Sequence, residues 1–293
     1  MKILYLLICF FAVQVQAEQT KEVAPRLAMG FYYPSLSNVS SRTDIELSLS
    51  YWVKELTHKI GLENAYSVLF DDIHAMNSAF EKGQLDMVIA PPLLIANYFK
   101  RPLLSDGFMA VKQLHKMDQL VIIARHGQLQ ATENYVGKRL LLPKNNFLAQ
   151  IFLESEVLKQ SQQPLQQVFS QIDYVNKNQS IILNLFFDKA DVAVTYASTL
   201  ELMVEMNPQV AKKITVLAQL PVKGGNYGYF HHEYALQETL KKEASRFTSE
   251  PRGKQILEVF QTSEIAMSYV EDLDSFDRFY QSYLMLKKVQ AND

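Results

Sequence analysis

Between residues 137 and 200, short apolar runs alternate with segments of helical period, and this alternation limits the fold more than any other stretch. The runs at 139–142, 168–175 and 191–196 read as strands, being short apolar stretches that each end in a polar loop. Each ends in a loop that can open a helix: Lys144-Asn145-Asn146, Asn176-Lys177-Asn178-Gln179, and Tyr196-Ala197-Ser198-Thr199. Strand and helix in alternation imply a parallel sheet whose strand C-termini share one edge. Small ligands bind at such an edge, where helix N-termini point free N–H groups outward. Three helix starts are therefore expected to converge on one place.

The flanking chain supports this frame. Residues 26–33 form an apolar strand ended by Pro34 and a Ser/Asn-rich loop at 35–41; Asp44 then caps a helix that Gly61 ends. Residues 66–70 make the next strand, and Asp71-Asp72 open a helix through Phe80. A third strand, 85–90, is cut by Pro91-Pro92, and 93–100 returns to helical period. This is β-α-β-α-β, half of an open doubly wound sheet. Two extended runs, 104–111 and 119–124, follow with no full helix between them. A further extended run at 214–220 leads to the flexible Lys223-Gly224-Gly225, and 227–230 is short and aromatic. The remainder reads as helix at 236–247, 253–261 and 273–288. Crossings near 111–119 and 220–226 suggest a discontinuous first domain with a second inserted, a pair that can close on a ligand.

Composition narrows the partners. The formal charge is −2 with no basic run, which speaks against nucleic acid. Lys2, an apolar run at 3–13 and Ala17 form the pattern of a secretory signal cleaved near Ala17. Cys9, the single cysteine, lies inside that run, so the processed chain is expected to have no disulfide. That favours a bacterial periplasm over a eukaryotic extracellular space.

Several segments resemble one family. They are Phe80-Glu81-Lys82-Gly83-Gln84-Leu85-Asp86-Met87-Val88, then Ala90-Pro91-Pro92-Leu93, and the hinge run from Gln119 to Arg125 that leads to Tyr135-Val136-Gly137-Lys138-Arg139-Leu140. Asp188-Lys189-Ala190-Asp191-Val192-Ala193-Val194 and Ser198-Thr199-Leu200-Glu201 complete the set. In order and spacing the chain is similar to the periplasmic solute-binding proteins of phosphate, phosphite and phosphonate ABC transporters. The resemblance implies an α/β, two-lobed type II periplasmic-binding-protein fold, with two doubly wound sheets joined by a two-strand hinge. Residues 25–112 and 222–293 would form lobe 1, and 113–221 lobe 2. It also implies a small, phosphonate-like or other oxyanionic solute bound between the lobes, no cofactor, and an inner-membrane ABC permease as partner. An alternative on the same fold is a ligand sensor or scaffold feeding a membrane sensor kinase or cyclase. The site departs from the family: relatives carry a Ser/Thr-rich run where this chain has Asn145-Asn146-Phe147-Leu148. Asn178 replaces their histidine, and Ala197 stands where they have an acid.

The candidate ligand residues are Tyr32, Tyr33, Pro91, Asn145, Asn146, Asn178, Tyr196, Ser198 and Thr199. Each also has a structural alternative. Tyr32 and Tyr33 can pack a strand end, Pro91 can stiffen a turn, and the asparagines can cap helices. No metal is expected. His231 and His232, as strand neighbours, should face opposite ways, and Glu154 and Glu156 read as solvated helix surface. No nucleophile–base arrangement is evident, so no enzyme activity is expected.

Overall fold

The computed structural model describes residues 25–34, 42–111, 118–127, 129, 135–222, 225–259 and 262–292. The expected signal segment with Cys9, the Ser/Asn-rich loop, the centres of both crossings (112–117 and 223–224) and residues 260–261 lie outside the described residues.

Two sheets organise the chain. The first holds β1 (Arg26–Tyr32), β2 (Asn64–Phe70), β3 (Met87–Ala90), β4 (Leu104–Ser105), β5 (Gly107–Val111), β11 (Tyr227–His231) and β12 (Glu264–Ser268). Its order is β12-β5-β11-β3-β1-β2, with β4 also paired to β11. β1 runs parallel to β2 and β3, whereas β11 is antiparallel to both β3 and β5. The second sheet is built from β6 (Asp118–Arg125), β7 (Arg139–Pro143), β8 (Gln171–Val175), β9 (Val192–Tyr196) and β10 (Ile214–Val222). Its order is β10-β6-β9-β7-β8, and β7, β8 and β9 are parallel as the alternation predicts.

Helices cover both faces of each sheet. α1 (Arg42–His58), α9 (Gln237–Phe247) and α10 (Pro251–Val259) enclose one core of the first lobe around Leu27, Met29, Trp52 and Phe230. α2 (Ile73–Glu81) and α3 (Pro92–Tyr98) enclose the other, around Met76, Phe80, Ile95 and Tyr229. In the second lobe α4 (Phe147–Ser161) and the one-turn α5 (Leu165–Val168) cover one face. α6 (Asn178–Phe186), α7 (Ala197–Met206) and α8 (Gln209–Lys213) cover the other. Strands buried on both faces read as near-continuous apolar runs, as β6 and β9 do here.

β6 and β10 carry the chain into and out of the second sheet. Asp118, the first residue of β6, pairs in register with Val222, the last of β10, so both crossings arrive side by side. The last helix, α11 (Leu273–Asn292), touches both lobes. Its Phe276 and Tyr283 share a buried cluster with Leu93 of α3 and with Ile151 and Leu158 of α4. Arg101 ties the helix start to the first lobe: it donates to the Val270 carbonyl and pairs with Asp274 and Asp277.

The sequence reading needs four corrections. Residues 264–268, to which no element was assigned between the helices expected at 253–261 and 273–288, form β12 and pair antiparallel with β5, because the free edge of β5 supplies the ladder. The run at 168–175 begins as α5 rather than strand: Pro164 sets the helical entry, and Val168 turns into the core. α8 was not expected at all. Asp44 does not cap α1, which already begins at Arg42, so Asp44 lies in the first turn.

Candidate ligand cleft

The C-terminal edges of the parallel strands in both sheets face one cavity of about 890 Å³. From the first lobe come Tyr32 at the end of β1, Tyr33 beyond it, the Pro91 turn after β3, and Tyr98 at the end of α3. The second lobe contributes Lys144, Asn145 and Asn146 after β7, Tyr174 and Asn176 at the end of β8, Asn178 opening α6, and Tyr196 closing β9. Seven of the nine residues expected from the sequence therefore meet here. Ser198 and Thr199 do not. They line an adjoining cavity of about 800 Å³ that shares Asn178, Tyr196 and Gly225 with the first.

Asn146 holds the centre of the second-lobe wall. It is the N-cap of α4, its Oδ1 accepting from Ala149 N at 3.0 Å, and its Nδ2 donates to the Tyr196 hydroxyl at 3.0 Å. One asparagine thus does both jobs the sequence left open: it caps a helix, and it fixes a tyrosine at the cavity wall. Asn145 reaches this place through a left-handed backbone, φ 57°, which asparagine tolerates better than most side chains. Burial pushes the Tyr196 phenol up, and the neighbouring Asp118 charge adds to this, against the lowering effect of the Asn146 hydrogen bond. Tyr32 is raised too, first by burial and then by Asp72.

The first-lobe wall is tied to its sheet and helix by backbone hydrogen bonds. The backbone of Tyr33 donates to the Phe70 carbonyl at 2.8 Å, which extends the β1–β2 ladder one residue past the strand. Pro91 precedes α3, and its carbonyl accepts from Leu94 and Ile95, so the turn function assigned to it is satisfied within the chain. The rings of His74 and Tyr98 meet edge to face, with centroids 4.8 Å apart, beneath this wall.

Two features escaped the sequence. Asp118, at the first residue of β6, caps α7 from outside. Its Oδ1 accepts from Ser198 N at 3.2 Å and its Oδ2 from the Ser198 hydroxyl at 2.5 Å. The acid that caps this helix lies 80 residues before Ser198 in the chain, which no local motif can reveal. The second feature is aromatic: Tyr98 and Tyr174 join Tyr32, Tyr33 and Tyr196, so tyrosines line the cleft from both lobes. Tyr174, half exposed on β8, was readable as the outward residue of an alternating strand. Tyr98 had no such signal.

Two expectations about side chains elsewhere are overturned. Glu154 is buried, not solvated; its carboxylate accepts from the Tyr283 hydroxyl at 2.8 Å and lies 3.4 Å from the Lys287 ammonium. His231 and His232 do not diverge. β11 ends at His231 and the chain turns at once, so the two rings lie 4.9 Å apart. With Glu233 they place three potential ligand atoms within 4.8 Å of one another. Burial, and secondarily His232, hold the His231 imidazole below its usual range.

Comparisons place this architecture. No curated protein matches the chain in sequence. The fold is similar to that of XAC2383 from Xanthomonas citri bound to ATP, with a TM-score of 0.65 at 13% identity over 89% of this chain and 98% of that one. It is similar to a binding-protein component of an ABC phosphonate transporter from Pseudomonas aeruginosa, with TM-score 0.61 at 12% identity, covering 91% and 89%. PhnD1 from Prochlorococcus marinus, in complex with methylphosphonate, gives 0.57 at 14% identity, covering 88% and 99%. At these identities the likeness establishes the two-lobed type II periplasmic-binding-protein fold and nothing finer. The family model for periplasmic substrate-binding proteins of phosphonate ABC transporters matches residues 38–272, well over half of the sequence. The chain therefore belongs to the family of phosphonate ABC transporter periplasmic substrate-binding proteins.

Proposed function

We propose that this protein captures a small solute between its lobes in the periplasm and delivers it to an inner-membrane ABC permease, without chemical change to the solute. The observation that carries this reading is the cavity of about 890 Å³ whose wall is drawn from both lobes at the facing strand edges. Such a site is completed only when the lobes approach, so ligand binding and closure are one event. Lobe 1 comprises residues 25–112 and 222–293, and lobe 2 residues 113–221. The contacts are Tyr32, Tyr33 and the backbone at Pro91 from one side, with Asn145, Asn146, Asn178 and Tyr196 from the other. Ser198 and Thr199 extend the site into the adjoining cavity.

The test is thermal unfolding of the purified protein against phosphate, methylphosphonate, sulfate, amino acids, nucleosides and small heteroaromatic acids. Any probe at 100 times its dissociation constant adds about 2.7 kcal/mol to the folded state. For a chain of this size that is a midpoint rise of several degrees. Small-angle scattering should then show a smaller radius of gyration with that probe bound. A bound probe that leaves the radius unchanged counts against capture by closure.

A further inference from the structure

We infer that the cleft takes a planar aromatic solute carrying at most one negative charge, in preference to a phosphonate dianion. This rests on the capture reading above and concerns the same site. Burying a dianion needs compensating N–H donors, hydroxyls or cations, because desolvation costs several kcal/mol per charge. Five helix N-termini border the two adjoining cavities, and three of them are already occupied by the chain itself. At α2 the His74 amide is bound to Asp72 Oδ1. At α4 the Ala149 amide is bound to Asn146 Oδ1, and at α7 both Ser198 donors are bound to the Asp118 carboxylate. The α7 case is decisive in sign, since an internal anion sits where a ligand anion would need to sit. α3 and α6 start without a side-chain cap, and α3 opens on Pro91-Pro92, neither of which carries an N–H. Among the described residues lining the cleft, Lys144 is the one charged side chain, and it is exposed. The α6 start and one lysine fit a single negative charge.

The rest of the wall is suited to a ring. Tyrosine side chains approach from both lobes, and each offers a face for stacking with a hydroxyl at its tip. Asparagine amides at 145, 176, 178 and 226 can donate and accept, as the edge of a heterocycle requires. Size agrees: about 890 Å³ lies within the range of pockets that bury drug-sized ligands, roughly 300–1,000 Å³, and far exceeds a small oxyanion.

The experiment is calorimetric titration of the purified protein with adenosine, nicotinate, methylphosphonate, 2-aminoethylphosphonate and glutamate. At least one of the first two is expected to bind tenfold or more tightly than either phosphonate, with a change in tyrosine fluorescence. Tyr174→Ala, at a half-exposed position that leaves the core intact, should weaken that probe at least tenfold while thermal stability stays unchanged. Tighter binding of methylphosphonate than of both aromatic probes overturns the inference and leaves solute capture standing, as does binding of glutamate alone. Silence with all five overturns the inference; capture itself falls only if the wider thermal panel is silent too.

Discussion

The Tyr283 hydroxyl, on the last helix, donates to Glu154 Oε2 on α4 at 2.8 Å in a buried setting, so the C-terminal segment is bonded into the second lobe. The same helix starts on the first lobe, where Arg101 pairs with Asp274 and Asp277. α11 thus spans the inter-lobe boundary beside the cleft. Tyr283→Phe removes one hydrogen bond to a charged acceptor and leaves the Glu154–Lys287 pair. A loss of about 1.5–3 kcal/mol is expected, read as a lower urea midpoint. An unchanged midpoint would mean that the bond contributes nothing in solution.

Asn146 separates capping from ligand binding. Asn146→Ala removes the cap of α4 and the Tyr196 partner together, and should cost about 1 kcal/mol or slightly more. Asn146→Asp keeps an oxygen for Ala149 N but cannot donate to Tyr196 and adds a negative charge. Its thermal midpoint should stay near that of the parent while affinity for any anionic probe falls. Equal affinity in the two proteins would remove Asn146 from the site.

Gly228→Ala should be among the most damaging single-methyl changes in the first lobe. A Cβ there would lie 2.6 Å from the Phe108 carbonyl oxygen and 2.4 Å from Met87 Cε, and one on Gly107 would lie 2.3 Å from the Gly228 carbonyl. β5 and β11 approach through this pair, and backbone cannot yield as a side-chain tip can. A loss of about 1–3 kcal/mol or more is expected from overpacking, measured by chemical denaturation.

Alkaline pH should destabilise the fold through buried phenols. Burial raises Tyr227, Tyr229, Tyr234 and Tyr283 well above the ordinary tyrosine value, with nearby carboxylates adding to each shift. A group whose folded pKa is raised gives its full stability below the unfolded pKa, near 10, and loses it as pH rises through the folded value. Stability should therefore be flat with respect to these groups up to about pH 10 and decline above it. Absorbance at 295 nm should show a fraction of tyrosines titrating only as the protein unfolds. Complete titration in the native state near pH 10 would contradict the burial.

Much of this architecture was legible because local signals agreed with one another. Pro91-Pro92 ends β3 and opens α3, and Asp72 caps α2 by accepting from His74 N. The three loops after β7, β8 and β9 were visible as polar breaks between apolar strands. β12 was missed because Glu264–Ser268 is only partly buried at four of its five positions and has strand identity only through pairing with β5. Asp118 and Ser198 were missed as a pair for a related reason: their meeting depends on β6 lying beside β9, a property of sheet order rather than of either segment. Sequence period reports which face a residue takes, but not which distant residue will stand opposite.

Sheet order also sets a timetable for the growing polypeptide. The second sheet is drawn from one uninterrupted run of chain, 118–222, and can close as soon as that run is available. In the first sheet, β1, β2 and β3 can pair early, but both neighbours of β5 come from beyond residue 226. β5 therefore keeps both edges unpaired until the chain beyond residue 226 is in place. Until then its apolar residues, Phe108, Met109 and Val111, which the fold buries, lie on a strand with two open edges.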